Sequence, residues 1–103
     1  MARYTHTIDT KGRVIVPAKL REMLGGVLVV TQGIDDGFLA AYTPEQFNTI
    51  KDQILNNSST GYEIRKLKRD VLGASTVCEF DAQGRMSVPA FLWKHIQVEP
   101  GEE

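Results

Sequence analysis

Short apolar segments separated by glycine-containing turns run through the first part of the chain, and they predict β-strands. Arg13–Val16 is rich in β-branched residues, and Val27–Thr31 is a continuous apolar run typical of a buried strand. Phe38–Tyr42 returns after the hairpin-type loop Gly33–Gly37, and Thr5–Ile8 alternates more weakly between apolar and polar residues. We therefore expect each of these four apolar segments to form a strand.

Helical periodicity follows two of these strands. Pro17 opens a short helix at its first position, and Gly25–Gly26 ends it. Thr43 and Gln46 form a capping box that predicts a helix from about Pro44. The apolar faces of the two helices are predicted at Leu20, Met23 and Leu24, and at Phe47, Ile50 and Ile54.

A polar linker, Asn56–Gly61, separates this helix from a second one that runs from about Tyr62 to Gly73. Its inward residues are expected to be Ile64, Leu67, Val71 and Leu72. Its basic residues lie on the flanks of that apolar stripe: Arg65, Lys66, Lys68 and Arg69.

The pattern of residues 6–21 returns in residues 78–93, shifted by 72 positions. The identical pairs are Asp9/Asp81, Gly12/Gly84, Arg13/Arg85, Val16/Val88, Pro17/Pro89, Ala18/Ala90 and Leu20/Leu92. The second copy predicts strands over Thr76–Phe80 and Arg85–Val88, a turn between them, and a helix from Pro89. It has no counterpart of the Val27–Tyr42 hairpin. One supersecondary unit is therefore used twice, and any surface that it carries is presented twice.

Composition changes this picture little. The chain has 103 residues, of which 42% are hydrophobic and 24% are charged, as in ordinary globular domains. No apolar run is long enough to span a bilayer, so we expect no membrane partner and a cytoplasmic location. The single Cys78 excludes a disulfide framework and fits a reducing compartment.

The net charge of −1 hides a basic N-terminal segment. Asp9 alone opposes five cations there: Arg3, Lys11, Arg13, Lys19 and Arg21. Such a chain can be neutral as a whole and strongly basic on one face, so nucleic acid is not excluded as a partner.

The repeated Asp-x-x-Gly-Arg turns are the strongest chemical signal. One interpretation is a tight β-turn whose solvated arginine pairs with its own aspartate. The other is that each arginine, oriented by Asp9 or Asp81, reads a guanine edge or clamps a phosphate. The repetition with matching flanks favours the second interpretation. Lys11 in the first turn corresponds to Gln83 in the second, which makes the first turn more basic.

Other candidate sites are weaker. The basic run of residues 65–69 is either a solvated helix face or a phosphate-tracking surface. Phe91 and Trp93 replace Lys19 and Arg21 in the second copy, which suggests a protein interface there, with partial burial under the linker as the alternative. They cannot both face one core from a single helix, so we expect one of the two either to be exposed or to cover a neighbouring residue.

No pattern indicates catalysis. His6 and His95 match no partner in the other copy, and no His, Cys or Asp spacing fits a metal. No phosphate-binding glycine loop is present, and a lone strand cysteine such as Cys78 is more often a small core residue. We expect no catalytic residue, metal, cofactor or small-molecule substrate.

These residues resemble the MraZ family, which carries two tandem copies of the unit found in SpoVT/AbrB-type DNA-binding domains. The matching segments are Asp9–Arg21, Val27–Gly33, the two-helix connector with its basic second helix, and Asp81–Ala90. The resemblance covers essentially the whole chain. Members of that family continue with a second hairpin and a terminal helix, so we expect this chain to be C-terminally shortened relative to them. The missing strands would then either be lost by truncation or be supplied by a partner subunit through strand swapping.

The resemblance implies an α+β, β-rich fold. Two tandem SpoVT/AbrB-like units would form an interleaved, swapped-hairpin (double-psi-like) β-barrel with a two-helix connector, and the second unit would lack its last hairpin. The predicted divisions are a first unit with its trailing helix over residues 1–55, a linker and basic connector helix over 56–74, and an incomplete second unit over 75–103.

The resemblance also implies a nucleoid-associated transcriptional regulator. Its homo-oligomers, ring-like or strand-swapped, would bind double-stranded DNA at short direct repeats upstream of the division and cell-wall gene cluster. The expected DNA-binding residues are Asp9, Arg13, Asp81 and Arg85, with Lys11, Lys19, Arg21 and Arg3 on phosphates. The alternative function is an AbrB-like antitoxin or a protein-interaction and oligomerisation module.

Overall fold

The computed structural model describes residues 7–33, 37–57, 61–99 and 101. Along the chain the strands are β1 (Arg13–Ile15), β2 (Val27–Gln32), β3 (Leu39–Tyr42), β4 (Thr76–Glu79) and β5 (Arg85–Ser87). The helices are α1 (Ala18–Leu24), α2 (Pro44–Leu55), α3 (Tyr62–Leu67) and α4 (Ala90–His95), with a π-helical turn over Lys68–Leu72. This is an α+β fold with small antiparallel sheets, as the sequence predicts at that level.

The corresponding strands of the two copies, β1 and β5, pair with each other as a two-stranded antiparallel ribbon. The register places Arg13 opposite Ser87, Val14 opposite Met86 and Ile15 opposite Arg85. Two further amide bonds close the ribbon at its ends: Val16 N–H donates to Gly84 O at 3.1 Å, and Val88 N–H donates to Gly12 O at 3.2 Å. Equivalent residues make equivalent bonds, so a local pseudo-twofold axis passes through the ribbon.

A second sheet has the order β3-β2-β4, with both pairs antiparallel. The central strand β2 is buried on both faces, because Leu28 and Val30 enter one core cluster while Val29 enters the other. That double burial explains why β2 reads as a continuous apolar run rather than an alternating one. Its neighbour β4, from the second copy, is followed by a turn and then by β5. An antiparallel β-bridge joins Phe80 to Met86 across this turn.

Two core clusters lie on either side of the central strand. The first collects residues from both copies: Ile8, Leu28, Val30, Ala74, Cys78, Met86, Val88, Leu92 and Trp93. The second lies under the connector helices: Val29, Phe47, Ile54 and Val71. The two copies therefore share one core, and the ribbon lies on that shared core.

The connector follows the predicted signals closely. The Thr43 hydroxyl accepts the Gln46 N–H, and the Gln46 side chain accepts the Thr43 N–H, which completes the capping box of α2. The following helix passes into the π-helical turn, where Gly73 N–H donates to Lys68 O at 3.1 Å. The hydroxyl of the fully buried Thr31 donates to Val71 O in this turn and so ties the turn to β2.

Some local predictions were wrong. Met23 is 78% exposed rather than inward, and the short α1 contains no buried residue. Thr7 and Ile8 are not in a strand, and residues 5 and 6 of that predicted strand lie outside the described residues. The interleaved barrel and the three predicted chain divisions stay predictions.

Candidate DNA-binding surface

The first turn is built around one carboxylate. Asp9 Oδ1 accepts the backbone N–H of Lys11 at 2.9 Å and that of Arg13 at 2.8 Å, while Oδ2 accepts Arg13 Nε at 2.7 Å. Gly12 N–H donates to Asp9 O, and Gly12 adopts a φ of 78°, in the left-handed region that glycine tolerates. The turn therefore fixes the arginine through both its main chain and its side chain.

The second turn repeats this geometry. Asp81 Oδ1 accepts the N–H groups of Gln83 and Arg85, each at 2.9 Å, and Oδ2 accepts Arg85 Nε at 2.8 Å. Gly84 has a φ of 79°, nearly the same as its counterpart. Each arginine pairs with its own aspartate, as the first interpretation predicts, and this pair also fixes the orientation of the arginine. Contact of the arginines with DNA stays a prediction.

Hydrogen bonding lowers the pKa of both carboxyl groups. The Arg13 N–H, helped by the Arg13 side chain and the Lys11 N–H, holds the pKa of Asp9 below its ordinary value of 3.8, although desolvation opposes this. The Arg85 N–H does the same to the pKa of Asp81, with the Arg85 side chain and the Gln83 N–H adding to it. Both aspartates are consequently ionised at neutral pH.

The ribbon register places both arginines on one face. Side chains alternate along a strand, so Arg13 and Ile15 of β1 share a face with Arg85 and Ser87 of β5. The opposite face, with Val14 and the buried Met86, packs on the core. Two residues of strand rise separate the arginines, about 7 Å along the ribbon. The outward face thus has two aimed guanidinium groups, with the half-exposed Ile15 and the exposed Ser87 beside them.

Each arginine keeps an open end. Within the described ranges, Nε is the only atom of either side chain that donates a hydrogen bond, and it donates to the aspartate. The Arg13 and Arg85 side chains are 24% and 32% exposed. The terminal nitrogens of both guanidinium groups therefore form a fork that is available to an acceptor pair on a ligand.

The other residues predicted to contact DNA differ in their exposure. Lys11 and Lys19 are exposed, on the first turn and on α1. Arg21 is half-buried, and its Nε donates to Val16 O at 3.0 Å. Arg3 lies outside the described residues. The sequence expects Arg21 to contact phosphate, and the structure adds a contact inside the protein.

The basic connector helix is interspersed with acids. Arg69 Nε pairs with Asp70 at 3.1 Å, and Lys66 lines a cavity of about 240 Å³ together with Glu63 and Asp70. This mixture of charges favours the interpretation as a solvated helix face, because the cations have acidic neighbours.

Sequence reasoning missed how the turns are covered. Trp93 Nε1 donates to Gly12 O at 2.9 Å, and the Arg21 guanidinium lies against Gly84. Trp93 is buried, which argues against the interface suggested for it, while Phe91 is 51% exposed, as the helical spacing of the two requires of one of them. The available signal was that positions 21 and 93 are equivalent in the repeat.

The described residues offer little for other chemistry. No group of three or more His, Cys, Asp or Glu among them is placed to hold a metal ion. Burial in β4 raises the pKa of the Cys78 thiol, as suits a core residue rather than a nucleophile. Within these same ranges, no helix has the length and hydrophobicity needed to cross a membrane.

Comparison with known proteins gives a consistent result. A family model described as "MraZ protein, putative antitoxin-like" matches residues 1–70. A transcriptional regulator MraZ of Ligilactobacillus salivarius is 43% identical over 99 residues, which cover 96% of this chain and 68% of that protein. Proteins of the same name from Limosilactobacillus fermentum and a Thermoanaerobacter species are 40% and 41% identical, with the same coverage.

Each of these relatives is named a transcriptional regulator, which is a non-enzymatic function and agrees with the prediction that this chain is not an enzyme. The match in sequence extends across both turns and the ribbon between them. The chain therefore belongs to the MraZ family.

Proposed function

We propose that this protein is a sequence-specific DNA-binding transcriptional regulator. The observation that carries the proposal is the outward face of the β1–β5 ribbon, where two identically built turns aim Arg13 and Arg85 in the same direction. The names of its relatives support the regulatory role. A nucleoid-associated, cytoplasmic location belongs to the same proposal.

The dimensions of the ribbon suit the major groove. A two-stranded antiparallel ribbon fits a groove about 12 Å wide, where guanine presents two acceptors to a guanidinium fork. Arg13 and Arg85 would each read a guanine with their terminal nitrogens while the Asp pair holds Nε. Ile15 would add apolar contact with a thymine methyl group, and Ser87 a polar contact.

Phosphate contacts would come from the exposed cations nearest the first turn. Lys11 lies within the turn and Lys19 is the second residue of α1. Arg3 and the outer nitrogens of Arg21 are further candidates. These contacts position the ribbon without reading sequence. The first turn is thereby the stronger electrostatic anchor, since Gln83 replaces Lys11 in the second.

Affinity would depend on several copies acting together. One ribbon offers few base contacts, so a homo-oligomer, ring-like or strand-swapped, would engage short direct repeats by effective concentration. The proposed targets are the repeats upstream of the division and cell-wall gene cluster.

Arginine variants test the proposal directly. We expect Arg13→Ala and Arg85→Ala each to weaken specific binding by about 1–3 kcal/mol per ribbon engaged, because each removes one bidentate base contact. Affinity for repeat DNA and for a scrambled duplex would be measured at one fixed salt concentration. The difference between the two affinities should fall.

Arg69→Ala is the matched control, since Arg69 also pairs through Nε with a neighbouring aspartate but lies on the connector. It should leave the specific-to-scrambled ratio unchanged. Unchanged repeat binding in the Arg13→Ala/Arg85→Ala double variant would rule out the assignment.

The second candidate function is an antitoxin-like or oligomerisation module. It is favoured by the exposed Phe91 and Met23 on the two short helices and by the description of the matched family. In that case the partner would be a protein held largely by apolar contact, and the arginine variants would leave its binding intact.

A further inference from the structure

Each turn glycine is buried, and in each case the covering residue comes from the other copy. Trp93 of the second copy lies over Gly12, and Arg21 of the first copy lies over Gly84. The two covering residues occupy equivalent positions of the repeat, 72 residues apart. A Cβ added at Gly12 would meet Trp93 Nε1 at 3.2 Å, and one added at Gly84 would meet Arg21 Cζ at 2.5 Å.

The peptide unit before each arginine is held from both sides. In the first turn, the Gly12–Arg13 peptide donates its N–H to Asp9 Oδ1, and its carbonyl accepts Trp93 Nε1 and Val88 N–H. Because a peptide unit is planar, bonds at its two ends fix its orientation. That orientation sets the direction in which the Arg13 side chain leaves the ribbon.

The second turn is held less directly. The Gly84–Arg85 peptide donates to Asp81 Oδ1, and its carbonyl accepts Val16 N–H. Arg21 Nε binds the carbonyl of the same Val16 at 3.0 Å while its guanidinium covers the glycine. Arg21 thus acts on the turn through Val16 and by contact, whereas Trp93 bonds the turn itself.

We propose that Trp93 and Arg21 are positioning residues, each of which fixes the turn of the opposite copy: Trp93 the Asp9–Arg13 turn, and Arg21 the Asp81–Arg85 turn. The consequence of this positioning for DNA binding rests on the proposed function, but the positioning itself does not. Trp93 is only 8% exposed and Arg21 is half-buried, so the first turn has the more rigid support.

Amide hydrogen exchange in the full chain tests the positioning without DNA. Trp93→Phe keeps an aromatic ring but removes the Nε1 donor. We expect the Lys11 and Arg13 amides to exchange about fivefold faster, the factor that a typical net hydrogen bond provides. The Gln83 and Arg85 amides should not change.

Arg21→Met, which keeps an unbranched side chain, is the reciprocal variant. It should accelerate exchange at Gln83 and Arg85 and leave Lys11 and Arg13 as they were. Equal changes in both turns, or no change in either, would overturn the proposal, since a merely structural role affects both turns alike. If Trp93→Phe is unfolded by circular dichroism, the Arg21→Met result decides by the same criterion.

Coupling to the arginines tests the consequence for DNA. Trp93→Phe should weaken repeat-DNA binding non-additively with Arg13→Ala and additively with Arg85→Ala, because it acts through the first turn only. Additivity with Arg13→Ala combined with non-additivity with Arg85→Ala, or additivity with both, would contradict this consequence for DNA binding. If Arg13→Ala has no effect on DNA binding, the proposed function fails while the exchange experiment still tests the positioning.

Discussion

At the scale of single residues, two aspartates organise the surface. Each of them accepts two main-chain N–H groups and one arginine Nε, so one short side chain sets both the turn and the aim of the arginine. Alternative residues fit poorly: asparagine would lack the charge, and glutamate would place the oxygens too far from the turn.

This carboxylate role predicts a pH dependence. The folded-state pKa of Asp9 and of Asp81 lies below 3.8, so the stabilisation they give is present above the unfolded value and is lost as pH falls through the folded value. Turn geometry and DNA binding should therefore be independent of these groups near neutrality and weaken only in acid. Carboxyl ¹³C NMR titration should give midpoints below 3.8 for both residues.

The Asp9→Asn and Asp81→Asn variants identify the two resonances and serve as controls. Each should abolish the acid-dependent change in its own turn. A midpoint at or above 3.8 for either residue would mean that its hydrogen bonds are not maintained in solution.

The turns are also where the sequence was most informative at this scale. Asp-x-x-Gly-Arg implies an Asp-capped turn with a glycine at positive φ, and both features are present. The covers over Gly12 and Gly84 could not be predicted in the same way. They depend on which copy each α-helix packs against, and that is set by the pairing of strands 72 residues apart.

At the scale of elements, hydrophobic periodicity predicted most of the strands and helices, whereas the burial of single residues and the π-helical turn depend on tertiary packing. Capping chemistry correctly predicted the start of α2, because the capping box is a local interaction. The inward assignment of Met23 failed because α1 has only seven residues and buries none of them fully. The π-helical turn has no local signature; a buried bond from β2 accompanies it.

That bond is the basis of a stability prediction. Thr31→Val is nearly isosteric but removes the hydroxyl that donates to Val71 O, and it leaves a carbonyl without that partner in the core. We expect the free energy of unfolding to fall by about 1–3 kcal/mol. Urea titration followed by circular dichroism would measure it.

Thr49→Val is the control, because the Thr49 hydroxyl bonds a helix carbonyl at an exposed position on α2. Its effect should stay within about 0.5 kcal/mol. Equal effects of the two substitutions would show that the buried hydroxyl has no special role in attaching the connector to the sheet.

At the scale of the whole molecule, charge distribution matters more than total charge. The net charge of −1 gives no hint of DNA binding, yet the described cations Lys11, Arg13 and Lys19 lie on the first turn, β1 and α1. The sequence alone indicated this segregation, but only the ribbon register shows that the two arginines share a face.

Salt dependence distinguishes the two candidate functions. If phosphates anchor the ribbon, log affinity for repeat DNA should fall linearly with log salt, and Lys11→Ala should reduce the slope by about 1 per ribbon engaged. Fluorescence anisotropy over a range of salt concentrations would give the slopes.

Lys51→Ala, an exposed lysine on α2, is the control and should leave the slope unchanged. Binding that hardly changes with salt would instead favour the protein-interaction function, since apolar contacts are not screened.

The pairing of β1 with β5 also gives the ribbon a direction. A symmetric dimer presents identical halves, so it reads a palindrome and cannot distinguish the two orientations of a site. Here one half offers Arg13 with Ile15 and the other Arg85 with Ser87, within a single covalent chain. If the ribbon binds DNA as we propose, rotating the protein by half a turn on the duplex would exchange unlike residues. A ribbon with this polarity would suit a head-to-tail series of sites, in which every copy docks in the same orientation.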